Sequence, residues 1–70
     1  MRTDPQKLLG EAIRNRRLEL KLTQEELAEK AHLHWTFVSG VERGQRNISI
    51  LNLYHIASAL KMRVRDLIAF

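Results

Sequence analysis

Apolar residues recur at helical intervals along nearly the whole chain. Leu9, Ile13, Arg17 and Leu20 fall on one stripe at i, i+4, i+8 and i+11. Asp4-Pro5 begins that helix as an N-cap followed by proline at the first helical position. The helix is predicted to run to about Leu20 or Lys21, with Leu22 entering the core behind it. Thr23 and Glu26, three residues apart, form a capping-box signature. Leu27, Ala28 and Ala31 follow at helical spacing. His32-Leu33-His34 breaks the pattern without Gly or Pro, and Phe37, Val38 and Val41 resume it. Gly44 stands where a left-handed cap is expected.

Gln45 to Ile48 has loop character, and Ser49 caps a fourth helix. Ile50, Leu53, Ile56, Ala57 and Leu60 form an amphipathic stripe expected to be core. Met62 and Val64 lead into a last short helix, about Val64 to Ala69. Leu18 and Leu51 lie off the stripes and are expected at the surface. No strand pair, repeat or low-complexity tract interrupts the pattern. The expectation is an all-α, compact five-helix domain spanning residues 1–70. The helices at Thr23–Gly44 are too short to stand alone in water, so the flanking segments must hold them. Arg17, in the middle of an apolar stripe, requires a charge partner.

The strings LTQEELAEKA, VSGVERG and LYHIASAL resemble the Cro/phage-repressor helix-turn-helix family, over roughly Leu9 to Leu67. Within that family, TFVSGVERGQRNISILNL is similar to the controller proteins of restriction-modification systems. Antitoxins and phage repressors share much of the pattern. The resemblance implies a homodimer bound to double-stranded operator DNA. It implies that the third helix, about Trp35 to Arg43, is the recognition helix, and that Arg17 and Glu42 form a salt bridge between the first and third helices. It also implies that Gln24 meets a phosphate. RNA polymerase is a further partner that the resemblance admits. The alternative is an antitoxin that neutralises a toxin and binds DNA secondarily; a chain stopping at Phe70 disfavours it.

A recognition helix presents its N-terminal residues to base edges in the major groove. Here those are Trp35, Thr36 and Ser39. Arg43, Arg46 and Asn47 leave the helix into the loop, suited to phosphates. Three positions depart from the resemblance. Trp35 stands where controller proteins often carry Arg, and Trp cannot make the forked bond to guanine. It would contact thymine methyls or sugars, or pack against its own protein. Gly40 either lets backbone approach DNA or is tolerated drift. Lys21 replaces the common Gly after the first helix, implying backbone strain.

Twelve Lys and Arg against eight Asp and Glu give a net charge of +4, which favours a polyanionic partner. A chain of 70 residues has little core to spare for a catalytic pocket, and no enzymatic constellation is present. His32, His34 and His55 lack the further ligands a metal shell needs. Neither a metal nor a cofactor is expected. With no Cys, no membrane-length apolar run and no leader-like start, a cytoplasmic location is expected. Met62, Val64, Leu67, Ile68 and Phe70 are more apolar residues than one short helix can bury. They are expected to form the dimer interface, unless Leu67 and Ile68 complete the monomer core.

Overall fold

The computed structural model describes residues 4–70. Met1 to Thr3, which belong to the expected domain and to the segment read against a leader, lie outside them. Five helices follow in order: α1 Pro5–Glu19, α2 Gln24–Ala31, α3 Trp35–Glu42, α4 Ile50–Ala59 and α5 Val64–Leu67. α1 lies against α3 and α5, α2 against α3 and α4, and α4 against α5. No helix among the described residues is long and apolar enough to cross a membrane.

The helix starts are set by side chains. The Asp4 carboxylate accepts from the Gln6 amide at 2.9 Å. Thr23 and Glu26 form the full reciprocal box, at 3.0 and 2.8 Å. The Ser49 hydroxyl accepts from the Asn52 amide at 3.1 Å. Such caps each contribute about 1 kcal/mol.

The helix ends share one device. After α1, α2, α3 and α4 the chain turns through a left-handed residue: Lys21, His32, Gly44 and Lys61, at φ of 59°, 59°, 73° and 58°. In each case the next amide bonds back across six residues: Leu22 to Arg17, Leu33 to Ala28, Gln45 to Gly40 and Met62 to Ala57, at 2.9–3.1 Å. This is the Schellman closure, which satisfies the last carbonyls of a helix. Only Gly44 adopts its conformation freely; for an L side chain it costs roughly 1–2 kcal/mol. The strain expected at Lys21 is thus present, and His32 and Lys61 share it.

Ile13, Leu27, Val38, Val41, Ile56, Leu60 and Leu67 are sealed from solvent and form the centre of the core. Each such aliphatic side chain contributes about 1.5–3 kcal/mol. Gly10 sets the closest helix approach. A Cβ there would lie 2.5 Å from the carbonyl oxygens of both Val41 and Glu42, so α1 meets the backbone of α3 with nothing between.

Several expectations need correction. Ile50 is 75% exposed and not core. It is the first residue of α4, and burial along its stripe begins only at Leu53. Leu22 is half-buried and stands outside the packed core. Leu67 is 1% exposed, so its side chain belongs to the monomer's own core. The last helix stops at Leu67, short of Ala69. Leu18 and Leu51 are exposed as expected.

Candidate nucleic-acid interface

α2, the turn at His32–His34 and α3 form a helix-turn-helix whose second helix is divided between two tasks. Val38, Val41 and Glu42 point inward, whereas Trp35, Thr36 and Arg43 are exposed. The inward side is anchored by charge. Arg17 Nε donates to Glu42 Oε2 at 2.7 Å, and Arg17 Nη2 to Glu42 Oε1 at 3.0 Å. Arg17 Nη1 donates to the Leu22 carbonyl at 2.9 Å. Gln24 Nε2 reaches the same Glu42 Oε1 at 3.0 Å. One carboxylate of α3 thus holds α1 and the first residue of α2. Both ionic residues are less than 10% exposed. The hydrogen bond to Glu42 raises the Arg17 guanidinium above its ordinary pKa, against the opposing pull of desolvation. The charge is therefore permanent.

The outward side is basic. Arg43 Nε donates to Gln45 Oε1 at 3.1 Å, and Arg43 Nη1 donates to the Ser39 hydroxyl. Ser39 is 8% exposed, so its hydroxyl positions Arg43 and is largely covered from outside. Arg46 folds back over α3, with its guanidinium carbon 6.0 Å from the centre of the Phe37 ring. Asn47 Oδ1 accepts from the Gln6 side-chain amide, which ties the start of α1 to the loop after α3. Trp35 is 47% exposed and borders an open cleft with Glu25, Glu29 and His34. Its ring is therefore shared between solvent and its own protein.

Thr36, Trp35, Arg43, Arg46 and Asn47 are thus exposed on or beside α3, while Gln24 and Ser39 are partly committed to internal bonds. The His side chains do not converge: among the described residues no three metal-binding side chains gather. Sequence reasoning missed Gln6 and Gly10. A polar residue in a first helical turn and a glycine in a helix carry no local signal of what they meet some 30–40 residues later. Elsewhere, Ile50, Leu51 and Tyr54 on α4 and Ile68 and Phe70 near the chain end are exposed. Met62 and Val64 are half-buried against the core.

Comparison with known proteins agrees with this geometry. A helix-turn-helix family model matches residues 13–67. The control protein C.BamHI of Bacillus amyloliquefaciens is 41% identical over 64 residues, covering 90% of this chain and 79% of that one. The crystal structure of the restriction-modification controller protein C.AhdI from Aeromonas hydrophila superposes with a TM-score of 0.87 at 40% identity, covering 89% of this chain and 94% of that one. The clp gene regulator ClgR from Corynebacterium glutamicum gives a TM-score of 0.89 at 31% identity, covering 93% and 69%. Backbone likeness alone thus does not separate controllers from other regulators. The chain belongs to the helix-turn-helix family of DNA-binding transcription regulators.

Proposed function

We propose that this chain is a controller-type regulator that binds a partly palindromic operator as a homodimer and regulates restriction-modification genes. The observation that carries the DNA reading is the division of α3. Glu42 fixes its inner side to α1 and α2, and Trp35 and Thr36 stand exposed at its N-terminal turn with arginines beyond its C-terminal end. Thr36 offers a hydroxyl or methyl to a base edge, and Trp35 an apolar face to thymine methyls or sugars. Ser39 acts through Arg43. Gln24, Arg43, Arg46 and Asn47 supply contacts to the duplex backbone, and hence affinity. The controller assignment rests on the 41% and 40% identities to a control protein and a controller protein.

One recognition helix reads too few base pairs for useful specificity; a two-fold dimer reads half-sites about 34 Å apart. Ile68 and Phe70, with the exposed first turn of α4, supply apolar surface for that interface. Leu67 drops out of it, and Met62 and Val64 contribute only their open edges. Repression needs only occupancy of the operator in the cytoplasm. Activation would add RNA polymerase as a partner.

The test begins with selection of bound duplexes from a randomised library, followed by a salt titration on the selected sequence. Affinity should fall steeply as salt rises, because phosphate contacts release counterions. Arg43→Ala should weaken all sequences alike and lower the log–log salt slope by about 1. Thr36→Ala should relax one base position per half-site. A flat salt response would sink the proposal.

A further inference from the structure

The loop between α3 and α4 has little backbone structure of its own. The Gln45 amide closes α3 on the Gly40 carbonyl, and among the described residues the amides of Arg46 to Ser49 donate no backbone–backbone hydrogen bond. Packing and side chains must therefore place this loop. Ile48 is partly buried against the core. The opening turn of α1 supplies two further fixed points. Gly44 lies directly on that turn: a Cβ there would come within 3.0 Å of Lys7 Cα and 2.6 Å of Lys7 Cγ. Three residues on, Asn47 Oδ1 accepts from Gln6 Nε2, across 41 positions of sequence. Gln6 is itself held, because the Asp4 carboxylate accepts from its backbone amide at 2.9 Å.

The direction of the Gln6–Asn47 bond decides what Asn47 can offer. A side-chain amide carries an oxygen that accepts and an NH2 group that donates. Gln6 engages the oxygen, so the NH2 group is left over on an exposed residue. A phosphate oxygen only accepts, and the NH2 group is the half of Asn47 that can serve it. We propose that Gln6 is a positioning residue for DNA: by donating to the Asn47 carbonyl it presents the Asn47 NH2 group to a backbone phosphate of the operator. Gln6 does not touch the duplex and acts only through Asn47. The tie also removes side-chain freedom that a loop asparagine would otherwise lose on binding. This rests on the operator-binding reading above.

The experiment measures affinity for the duplex that wild type selects from a randomised library. The variants are Gln6→Met, Gln6→Glu, Asn47→Ala and the two double variants, each with a urea melt. Asn47→Ala should weaken binding by about tenfold per half-site, as loss of a hydrogen bond to a charged group does. Gln6→Met removes the tie and keeps Asn47; it should weaken binding by about 2- to 10-fold. Gln6→Glu is the sharper variant. A carboxylate only accepts, so it holds Asn47 by the NH2 group and turns the carbonyl oxygen toward the phosphate. It should bind more weakly than Gln6→Met yet melt at or above wild type, because an acidic residue suits the first turn of a helix. On the Asn47→Ala background, Gln6→Met should cost nothing further and Gln6→Glu only the part due to its charge. If Gln6→Met binds like wild type, the tie is not needed and the proposal fails. If the Gln6 changes cost as much without Asn47 as with it, Gln6 does not act through Asn47 and it fails. Asn47→Ala with wild-type affinity would remove the contact itself. Gln6→Glu binding like wild type would reduce the tie to scaffold and overturn the assignment. Wild type selecting no sequence at all would overturn operator binding, a result distinct from a selective wild type whose affinity none of these substitutions changes.

Discussion

The seam between α1 and α3 and the surface around the end of α5 solve opposite problems. At the seam, a glycine brings two helices to backbone contact and a carboxylate collects three donors from two other helices. Every side-chain nitrogen and oxygen buried there has a hydrogen-bond partner. Around the end of α5 there is no such closure. Ile68 and Phe70 are exposed, 43% and 57%, while their neighbour Leu67 is sealed. The first region has a single satisfactory arrangement and so fixes the angle of the recognition helix. The second leaves apolar surface over. Closure is thus concentrated at the seam that holds α3, and apolar surface is left over where a second copy is proposed to dock.

Breaking the seam should have the largest effect. Arg17→Ala or Glu42→Ala leaves a buried charge unpaired, with an expected loss of about 3–5 kcal/mol in urea unfolding. That is a large part of the stability of any small domain. Arg17→Met with Glu42→Leu should be milder than either single change, because no charge is stranded. Single variants that melt like wild type would mean the pair contributes nothing.

Gly10→Ala comes next. The added methyl meets two backbone carbonyls, which cannot swing aside as a side chain can. About 1–3 kcal/mol of overpacking is expected, together with a displaced α3 and weaker operator binding. A crystal structure showing α1 and α3 unmoved would refute it. Lys21→Gly tests the opposite sign. It relieves a left-handed L residue at an exposed helix end. Glycine's greater freedom in the unfolded chain offsets part of the gain, so a net rise of about 0.5–1 kcal/mol is expected from thermal melts.

At the open end, Ile68→Asp should change monomer stability by under about 0.5 kcal/mol, as surface substitutions do. It should nonetheless abolish the dimer in sedimentation at micromolar concentration. If the wild-type chain is itself monomeric with and without DNA, the contrast drawn between the two regions loses its functional meaning.

What could be read in the sequence was what depends on neighbours along the chain. The caps at Asp4, Thr23 and Ser49, the left-handed Gly44 and the stripe Leu9–Ile13–Arg17 all carry their signal within a few residues. The demand for a partner to Arg17 was legible too, because a charge in an apolar stripe is a local contradiction. The close approach at Gly10 was not, since its cause lies on another helix. Ile50 and Leu67 show the limit of periodicity: the period names a face, and tertiary packing decides how far along that face burial extends. Ser39 looked outward by spacing, but it is buried and its hydroxyl is bound by Arg43. His32 and Lys61 gave no warning of their strained conformation, because the usual marker of that turn, a glycine, is absent.

The division of α3 also bears on how such a regulator changes its target over generations. Val38, Val41 and Glu42 are bound to the rest of the molecule, whereas Thr36 is exposed and Trp35 is about half so. On the proposed reading, substitutions at the latter pair disturb the scaffold little while altering what is read. If those two positions read the operator as proposed, a lineage can exchange its target by drift there, with the inherited inner face serving every version alike.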